Sequence, residues 1–421
     1  MTAAIFTELF LFFTAVSAGF GMWLTWRHIR HVETARGRVP AEFADSISLD
    51  AHQKAADYTL DKQRLGMAEE IFGVVVLLLL TLGGGLAWLY ASADQWVTGG
   101  VWVGIAFITG LTIITGVIGL PFDLVRTFGI EAKHGFNKTT VKTYVLDMLK
   151  GWLLAAVIGL PLLLGTFWLM EKMGALWWLY VWLAWVGFSL LMMLIYPTFI
   201  APLFNKFSPL EDASLKTRIE ALLGKCGFQS KGLFVMDGSK RSAHGNAYFT
   251  GFGRAKKIVF FDTLIARLTP AEIEAVLAHE LGHFKHKHIF KRLIGTFAVA
   301  LLVLALMGWV IDKPWFYDGL GLQQSGKAHV AVSLVLFFTV LPVFTFWMTP
   351  LSSLLSRQHE FEADAYAASQ TDARDLVSAL VKLYRDNAST LTPDPWHSAV
   401  YDSHPPAAIR IAHLHAITKP T

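Results

Sequence analysis

His279-Glu280-Leu281-Gly282-His283 sets two imidazoles four residues apart. On a helix that spacing puts both on one face, where they can share one metal ion. The Glu between them stands beside the ion's open position and can take a proton from a bound water. The chemistry that suits this pattern is zinc-dependent hydrolysis, with three protein ligands and a fourth position for water. The longer motif with a further His six residues on is absent, because position 286 is His rather than Gly and position 289 is Ile. The third ligand therefore comes from elsewhere in the chain.

Ser356-Arg357-Gln358-His359-Glu360-Phe361-Glu362-Ala363-Asp364 offers one. Glu360 and Asp364 are four apart and share a helical face. Glu360 can bind the ion, and Asp364 can accept the proton from the far nitrogen of a ligating His. Glu362 lies off that face. Away from a His-Glu motif, such a pair reads as a solvated helix surface. His286 and His288 suit the headgroup level, or support of a ligand, better than ligation.

Local signals build the elements that must carry these groups. Thr269-Pro270-Ala271-Glu272 is a capping box with proline at the first helical position, so a helix opens there and runs into the motif. Leu281-Gly282 inside the motif leaves room for close packing. Upstream, Leu210 to Lys225 reads as an amphipathic helix ending near Gly227. Short strands follow at 233–236, 247–250 and 257–262, the last two joined by a hairpin turn at Gly251-Phe-Gly-Arg-Ala-Lys. Past residue 351, one helix continues the last apolar run through 368. Another lies near 372–385, and a third begins after His404-Pro405-Pro406.

The rest of the chain is mostly apolar. Of 421 residues, 54% are hydrophobic and 16% charged. A soluble chain of this size carries about a quarter charged residues, so a membrane protein is indicated. Seven apolar runs are long enough to cross: 4–26, 69–92, 99–120, 152–170, 175–200, 293–311 and 329–350. The third and fifth end in Leu-Pro and Tyr-Pro, which stop or kink a helix, and Pro161 predicts a kink in the fourth. Trp23, Trp26, Trp96, Trp152, Trp177, Trp178 and Trp309 sit near run ends, as interfacial anchors do. Met1-Thr-Ala-Ala lacks the basic start of a signal peptide, so the first run reads as a retained anchor.

Lys and Arg crowd the first, third and fifth loops and thin out in the second, fourth and sixth. That alternation puts the N-terminus outside, and the motif segment and C-terminal tail in the cytoplasm. The expected organisation is 1–200 with five spans, 201–292 with the motif, 293–350 with two more spans, and 351–421 with the third ligand. The net charge of +4 sits beside apolar runs, so it sets topology and gives no nucleic-acid partner. A single cysteine, Cys226, excludes an internal disulfide and a thiolate zinc cluster, and packs as a small apolar residue near a helix end.

At this point the chain resembles the integral-membrane zinc metalloproteases of the type I CAAX prenyl endopeptidase family, over nearly its whole length. The likeness rests on the motif helix, on Ser356-Arg-x-x-Glu-Phe-x-Ala-Asp364 and on Asn246-Ala-Tyr-Phe-x-Gly251. It extends to Phe260-Phe-Asp-Thr-Leu264, Ser403-His-Pro-Pro406, Pro121-Phe-Asp-x-x-Arg-Thr-Phe128 and Pro202-Leu-Phe-Asn-Lys-Phe207. It implies a mainly α, polytopic fold: seven transmembrane helices forming a barrel around a water-filled chamber, with a small α+β cytoplasmic domain. It implies one zinc held by His279, His283 and Glu360, with Glu280 as general base. His404 would stabilise the oxyanion, with Arg410 nearby to help bind substrate; the plainer reading of His404 is helix capping. Asn246 would lie where substrate adds as a strand, its plainer reading being a turn residue. Arg357 would pair with a carboxylate near the motif helix. Phe284, where many relatives have Trp, should matter little.

The substrate so implied is a peptide or protein, prenylated near its C-terminus, cut within the lipid bilayer's reach. Family members are also linked to cutting non-prenylated, translocon-jammed proteins. Thr418-Lys-Pro-Thr421 carries no recognisable endoplasmic-reticulum retention signal, which favours a bacterial inner membrane over that compartment. Two other protease classes fit less well. The site-two type places its motif inside a span, whereas Lys285-His-Lys-His288 is too polar for mid-bilayer. The heat-shock-induced membrane zinc protease has fewer spans. A metal-regulated transporter or channel would need ionisable residues within the spans, and these spans hold almost none.

Overall fold

The computed structural model describes residues 1–250, 257–322 and 329–418. The membrane-capable helices of the first half are α1 (Ala3–Ala35), α2 (Leu49–Leu80) with α3 (Gly85–Trp96), α4 (Gly100–Leu124), α5 (Val141–Lys172) and α6 (Trp177–Ile195). Side-chain caps start three of them: Thr2, Ser48 and Thr140 each accept a backbone amide three residues on. The segment that carries the motif adds β1 (Phe207–Pro209), α7 (Ala213–Lys225), β2 (Leu233–Met236), β3 (Ala247–Thr250), β4 (Lys257–Phe261), the single turn α8 (Asp262–Ile265) and α9 (Pro270–Lys285). Then come α10 (His288–Val310), the short α11 (Pro314–Asp318), α12 (His329–Thr345) and α13 (Met348–Gln370). The chain closes with α14 (Ala373–Asp386), α15 (Pro395–Tyr401) and α16 (Ala407–Thr418).

Among the described residues five helices are long and apolar enough to cross a membrane, or up to seven if each bent pair is one span. The bends correct two expectations. The second span breaks between α2 and α3 by 56°, where Gly84 adopts φ 76°, a left-handed turn that glycine enters without strain. The seventh does not continue straight into the tail; α12 and α13 meet at 68°. Pro350 is the cause, since its ring cannot tolerate the carbonyl of Phe346 in a continuous helix. The prolines at 121 and 197 neither stop nor sharply break their helices. Each is followed or accompanied by a π-helical stretch, Val125–Glu131 and Tyr196–Ile200, whose wider turn absorbs the missing amide. Through Pro161, α5 stays an unbroken helix.

The spanning helices pack at one end and part elsewhere. Phe6 and Phe10 of α1, Val103 and Phe107 of α4, Phe167 and Met170 of α5, Trp177 and Val181 of α6, and Leu304 and Met307 of α10 join one core with α11 and α12. Trp177 is only 6% exposed, so it belongs to this plug rather than to an interfacial belt as expected. Only 6% of the most apolar stretch of α5, and as little of that of α6, is buried. A bundle helix buries a whole stripe. These helices instead form a wall one helix thick, exposed on both faces, which is how a barrel encloses a chamber.

The domain between the fifth and sixth apolar runs holds a four-stranded sheet in the order β1-β2-β4-β3, with β2 and β4 parallel and both outer pairs antiparallel. Ile258 and Phe260 on β4 bury against Leu215, Ile219 and Leu222 of α7 and Ile273, Leu277 and Leu281 of α9. The three expected strands are present. The expected hairpin turn at 251–256 lies outside the described residues. Strand β1 and helix α15 were not anticipated. Cys226 caps α7, half-buried beside the sheet core.

Candidate active site

Helix α9 starts as its capping box dictates: Thr269 accepts the Glu272 amide and Glu272 reaches back to the Thr269 amide. The Glu272 carboxylate also takes Ser378 and Lys382 of α14, which anchors the motif helix to the tail. Helix α13 crosses α9 where Gly282 lacks a side chain; a Cβ there would lie 2.8 Å from the Ala363 Cα. That approach brings Glu360 to the two motif histidines. His279 Nε2 and His283 Nε2 are 3.2 Å apart. Glu360 lies 3.5 Å from His279 Nε2 through Oε2 and 3.3 Å from His283 Nε2 through Oε1.

Ligands about 2.0–2.1 Å from a tetrahedral zinc stand about 3.3 Å from one another. The two Nε2 atoms are at that spacing, Glu360 turns one oxygen to each of them, and one ligand atom from each residue lies within 4.8 Å of the others, so the group fits that ion. Two further observations agree. Glu360 Oε2 is buried and makes no well-aligned hydrogen bond among the described residues, although Arg410 Nη1 stands nearby. Burial opposes a charge on His279, yet the Asp364 and Glu360 carboxylates outweigh it and push its pKa up to about 9. The pocket is built to hold positive charge.

Asp364, fully buried, lies 2.8 Å from His279 Nδ1. Its other partner is Arg410 of α16, which donates from Nε to Oδ2 at 2.8 Å and from Nη2 to Oδ1 at 2.5 Å. Arg410 Nη1 also lies 3.3 Å from Glu360 Oε2. Arg410 is thus buried beneath the ligands and does not stand free in the cleft to meet substrate. Arg357 departs from expectation too. It donates to the Asp402 carbonyl and approaches Ser398 Oγ, with no ion pair among the described residues. The turn after α15 had already supplied an acceptor at that place.

His404 faces the site from the opposite side. Its Nε2 is 3.4 Å from Glu360 Oε1, Ser403 Oγ is 3.0 Å from its Nδ1, and its side chain is 63% exposed. Glu280 is half-buried between the two histidines. Asn246 is exposed just before β3; its carbonyl accepts the Phe261 amide and its side chain accepts the Ala247 amide. The outer edge of β3 has no strand beside it among the described residues. Phe249 on β3 packs edge-on to Phe284 at 4.8 Å, so the aromatic after the motif ties that edge to the motif helix.

One contact was not foreseen. His283 Nδ1 lies 3.0 Å from His288 Nδ1, and His288 Nε2 lies 2.7 Å from Glu362 Oε2. Counting faces along α13 set Glu362 aside, because it points away from Glu360. It points instead at the turn after α9, where Lys287 takes φ 57° and folds the chain back. The closely spaced His286 and His288 were the available signal.

Comparison with known proteins agrees with this architecture. Residues 28–206 match the model of the CAAX prenyl protease N-terminal region with five membrane helices, and residues 209–418 match peptidase family M48. The CAAX prenyl protease 1 homolog of rice (Oryza sativa) is 36% identical, over 89% of this chain and 90% of its own. The human homolog is 30% identical, over 91% of this chain and 90% of its own. The crystal structure of S. mikatae Ste24p superposes with a TM-score of 0.90 at 32% identity, covering 97% of this chain and 99% of that one. With both halves matched and the ligand triangle in place, the chain belongs to the M48 peptidases, in the branch with the CAAX prenyl protease membrane region, and is a multi-pass membrane metalloendopeptidase.

Proposed function

We propose that this enzyme uses zinc, held by His279, His283 and Glu360, to cut a peptide bond near the C-terminus of a prenylated substrate on the cytoplasmic side of its membrane. The observation that carries the metal assignment is the convergence of the three side chains: the His279 and His283 Nε2 atoms are 3.2 Å apart, Glu360 places one oxygen 3.5 Å and the other 3.3 Å from them, and one ligand atom from each lies within 4.8 Å of the others. Zinc, when bound, lowers the pKa of a water from about 15.7 to about 7 and draws charge from a scissile carbonyl. Glu280 takes the proton of the attacking water and later passes it to the leaving amine. His404, with Ser403 at its Nδ1, donates from Nε2 to the substrate oxygen as charge gathers there. Asp364 holds His279 in the tautomer that ligates through Nε2. Arg410 acts through Asp364. Substrate pairs with the free edge of β3 beside Asn246, a mode that relies on main-chain hydrogen bonds.

The printed names of the relatives support a prenylated substrate, as does the apolar wall exposed on both faces. The Lys and Arg asymmetry of the loops supports a cytoplasmic site. Both a bacterial inner membrane and an endoplasmic reticulum membrane provide that geometry. The relatives cited are eukaryotic, and fractionation in the native host decides between the two.

The test is metal analysis of the purified chain beside cleavage of matched prenylated and unprenylated peptides. We expect one zinc per chain, loss of cleavage on chelation, recovery on adding zinc, and preference for the prenylated peptide. Equal cleavage of both peptides would move the reading to non-prenylated membrane proteins. Cleavage that survives complete metal removal would overturn it.

A further inference from the structure

A second group of metal-ligating side chains sits beside the first. His286, His288 and Glu362 present one ligand atom each, all within 4.8 Å of one another. Glu362 Oε2 is 2.7 Å from His288 Nε2 and 3.8 Å from His286 Nδ1. Ligand atoms on a tetrahedral zinc are about 3.3 Å apart, so drawing these three in from their 4.8 Å limit would make a three-ligand site. The rings of His286 and His288 are nearly parallel, 15° between planes, with His288 held in place by His359 stacked at 3.9 Å. Glu362 and His286 are both open to solvent, which leaves room for water at the fourth position. We propose that His286, His288 and Glu362 form a second, weaker divalent-metal site whose occupation switches the peptidase off.

The link is the bond between His283 and His288. This step rests on the zinc peptidase reading given above. When His283 ligates through Nε2, its Nδ1 carries the proton and donates to His288 Nδ1. His288 then carries its own proton on Nε2 and donates it to Glu362. A metal ion on His288 Nε2 needs that lone pair. The Nε2 proton leaves to solvent, and neutral His288 takes one at Nδ1 instead. Two N–H groups then face each other at 3.0 Å with no acceptor between them. One ring has to turn, and His283 loses the support that orients it on the catalytic ion. Lys291 also acts on Glu362, which opposes a second cation and makes this the weaker site.

His286 separates this site from the catalytic one, because it takes no part in the His283–His288–Glu362 chain. The experiment compares the full-length chain with His286→Ala, both purified in detergent, at buffered free zinc of about 1 µM and about 100 µM. At the lower level both proteins should hold one zinc per chain and cleave at similar rates. At the higher level the unaltered chain should bind a second zinc and lose roughly tenfold in activity. His286→Ala should stay at one zinc and keep its rate. Equal inhibition of both proteins would overturn the proposal and place the inhibitory ion at the catalytic centre. A single zinc on the unaltered chain at both levels would overturn it as well. Absence of any zinc or activity at the lower level would instead refute the peptidase reading on which it rests.

Discussion

Gly282 and Ala363 meet backbone to backbone: a Cβ on Gly282 would lie 2.8 Å from the Ala363 Cα and 3.0 Å from its carbonyl oxygen. Neither atom belongs to a flexible side chain, so any substituent must push α9 and α13 apart. Two of the proposed ligands, His279 and His283, ride on one helix and the third, Glu360, on the other. Gly282→Ala should therefore cost about 1–3 kcal/mol of stability and weaken zinc binding together. Thermal unfolding and a zinc titration measure the two. An unchanged zinc affinity would show that the helix approach does not set the ligand triangle.

Glu280 and the ligands have separable jobs. Glu280→Gln should retain one zinc per chain while cleavage falls about 10²–10⁴-fold, the usual range for a lost general base. His279→Ala should lose the metal as well as the activity. Full cleavage by Glu280→Gln would falsify the assignment of the base.

Asp364 holds both His279 and Arg410, so its removal has two consequences. Asp364→Ala should weaken zinc about 10–100-fold by freeing the imidazole. It should also destabilise the fold by about 3–5 kcal/mol, because Arg410 keeps a buried charge and loses the carboxylate that takes both of its hydrogen bonds here. The double variant Asp364→Ala, Arg410→Met should regain stability but not zinc affinity. Recovery of both would mean that Asp364 acts on stability alone.

His397 gives the tail an acid limit. It stacks on His28 at 4.1 Å and joins α15 to α1. Burial lowers its pKa from 6.5 to about 4, with Asp394 opposing weakly. The folded pKa lies below the unfolded one, so this contribution is complete above pH 6.5 and lost as the pH falls to about 4. Its size is on the order of 3 kcal/mol. Hydrogen exchange across 395–401 should quicken through that window, and His397→Phe should flatten the dependence. Identical pH profiles for the two proteins would exclude His397 as the source.

Much of the site was legible because its signals are local. Thr269 and Glu272 define where α9 begins whatever packs on it. The four-residue spacings in 279–283 and 360–364 each place two side chains on one face. Strand lengths and most span positions followed from apolar runs in the same way. What escaped depends on the far side of a contact. Pro350 announces a difficulty for a helix but not a 68° bend. Trp177 reads as an anchor until the plug that buries it is seen. Arg410 and Arg357 carry charges that several acceptors could have taken.

From the order of residues alone came the candidate ligands, the helix that bears the motif and most of the membrane-capable runs, since periodicity and capping act within about one turn of chain. Folding decided that Glu360 meets His279 and His283 across the Gly282 contact. It also buried Arg410 under Asp364 and turned Glu362 toward His288. Those pairings join positions 46 to 81 residues apart, and only packing in three dimensions selects among the acceptors a side chain of that reach could find.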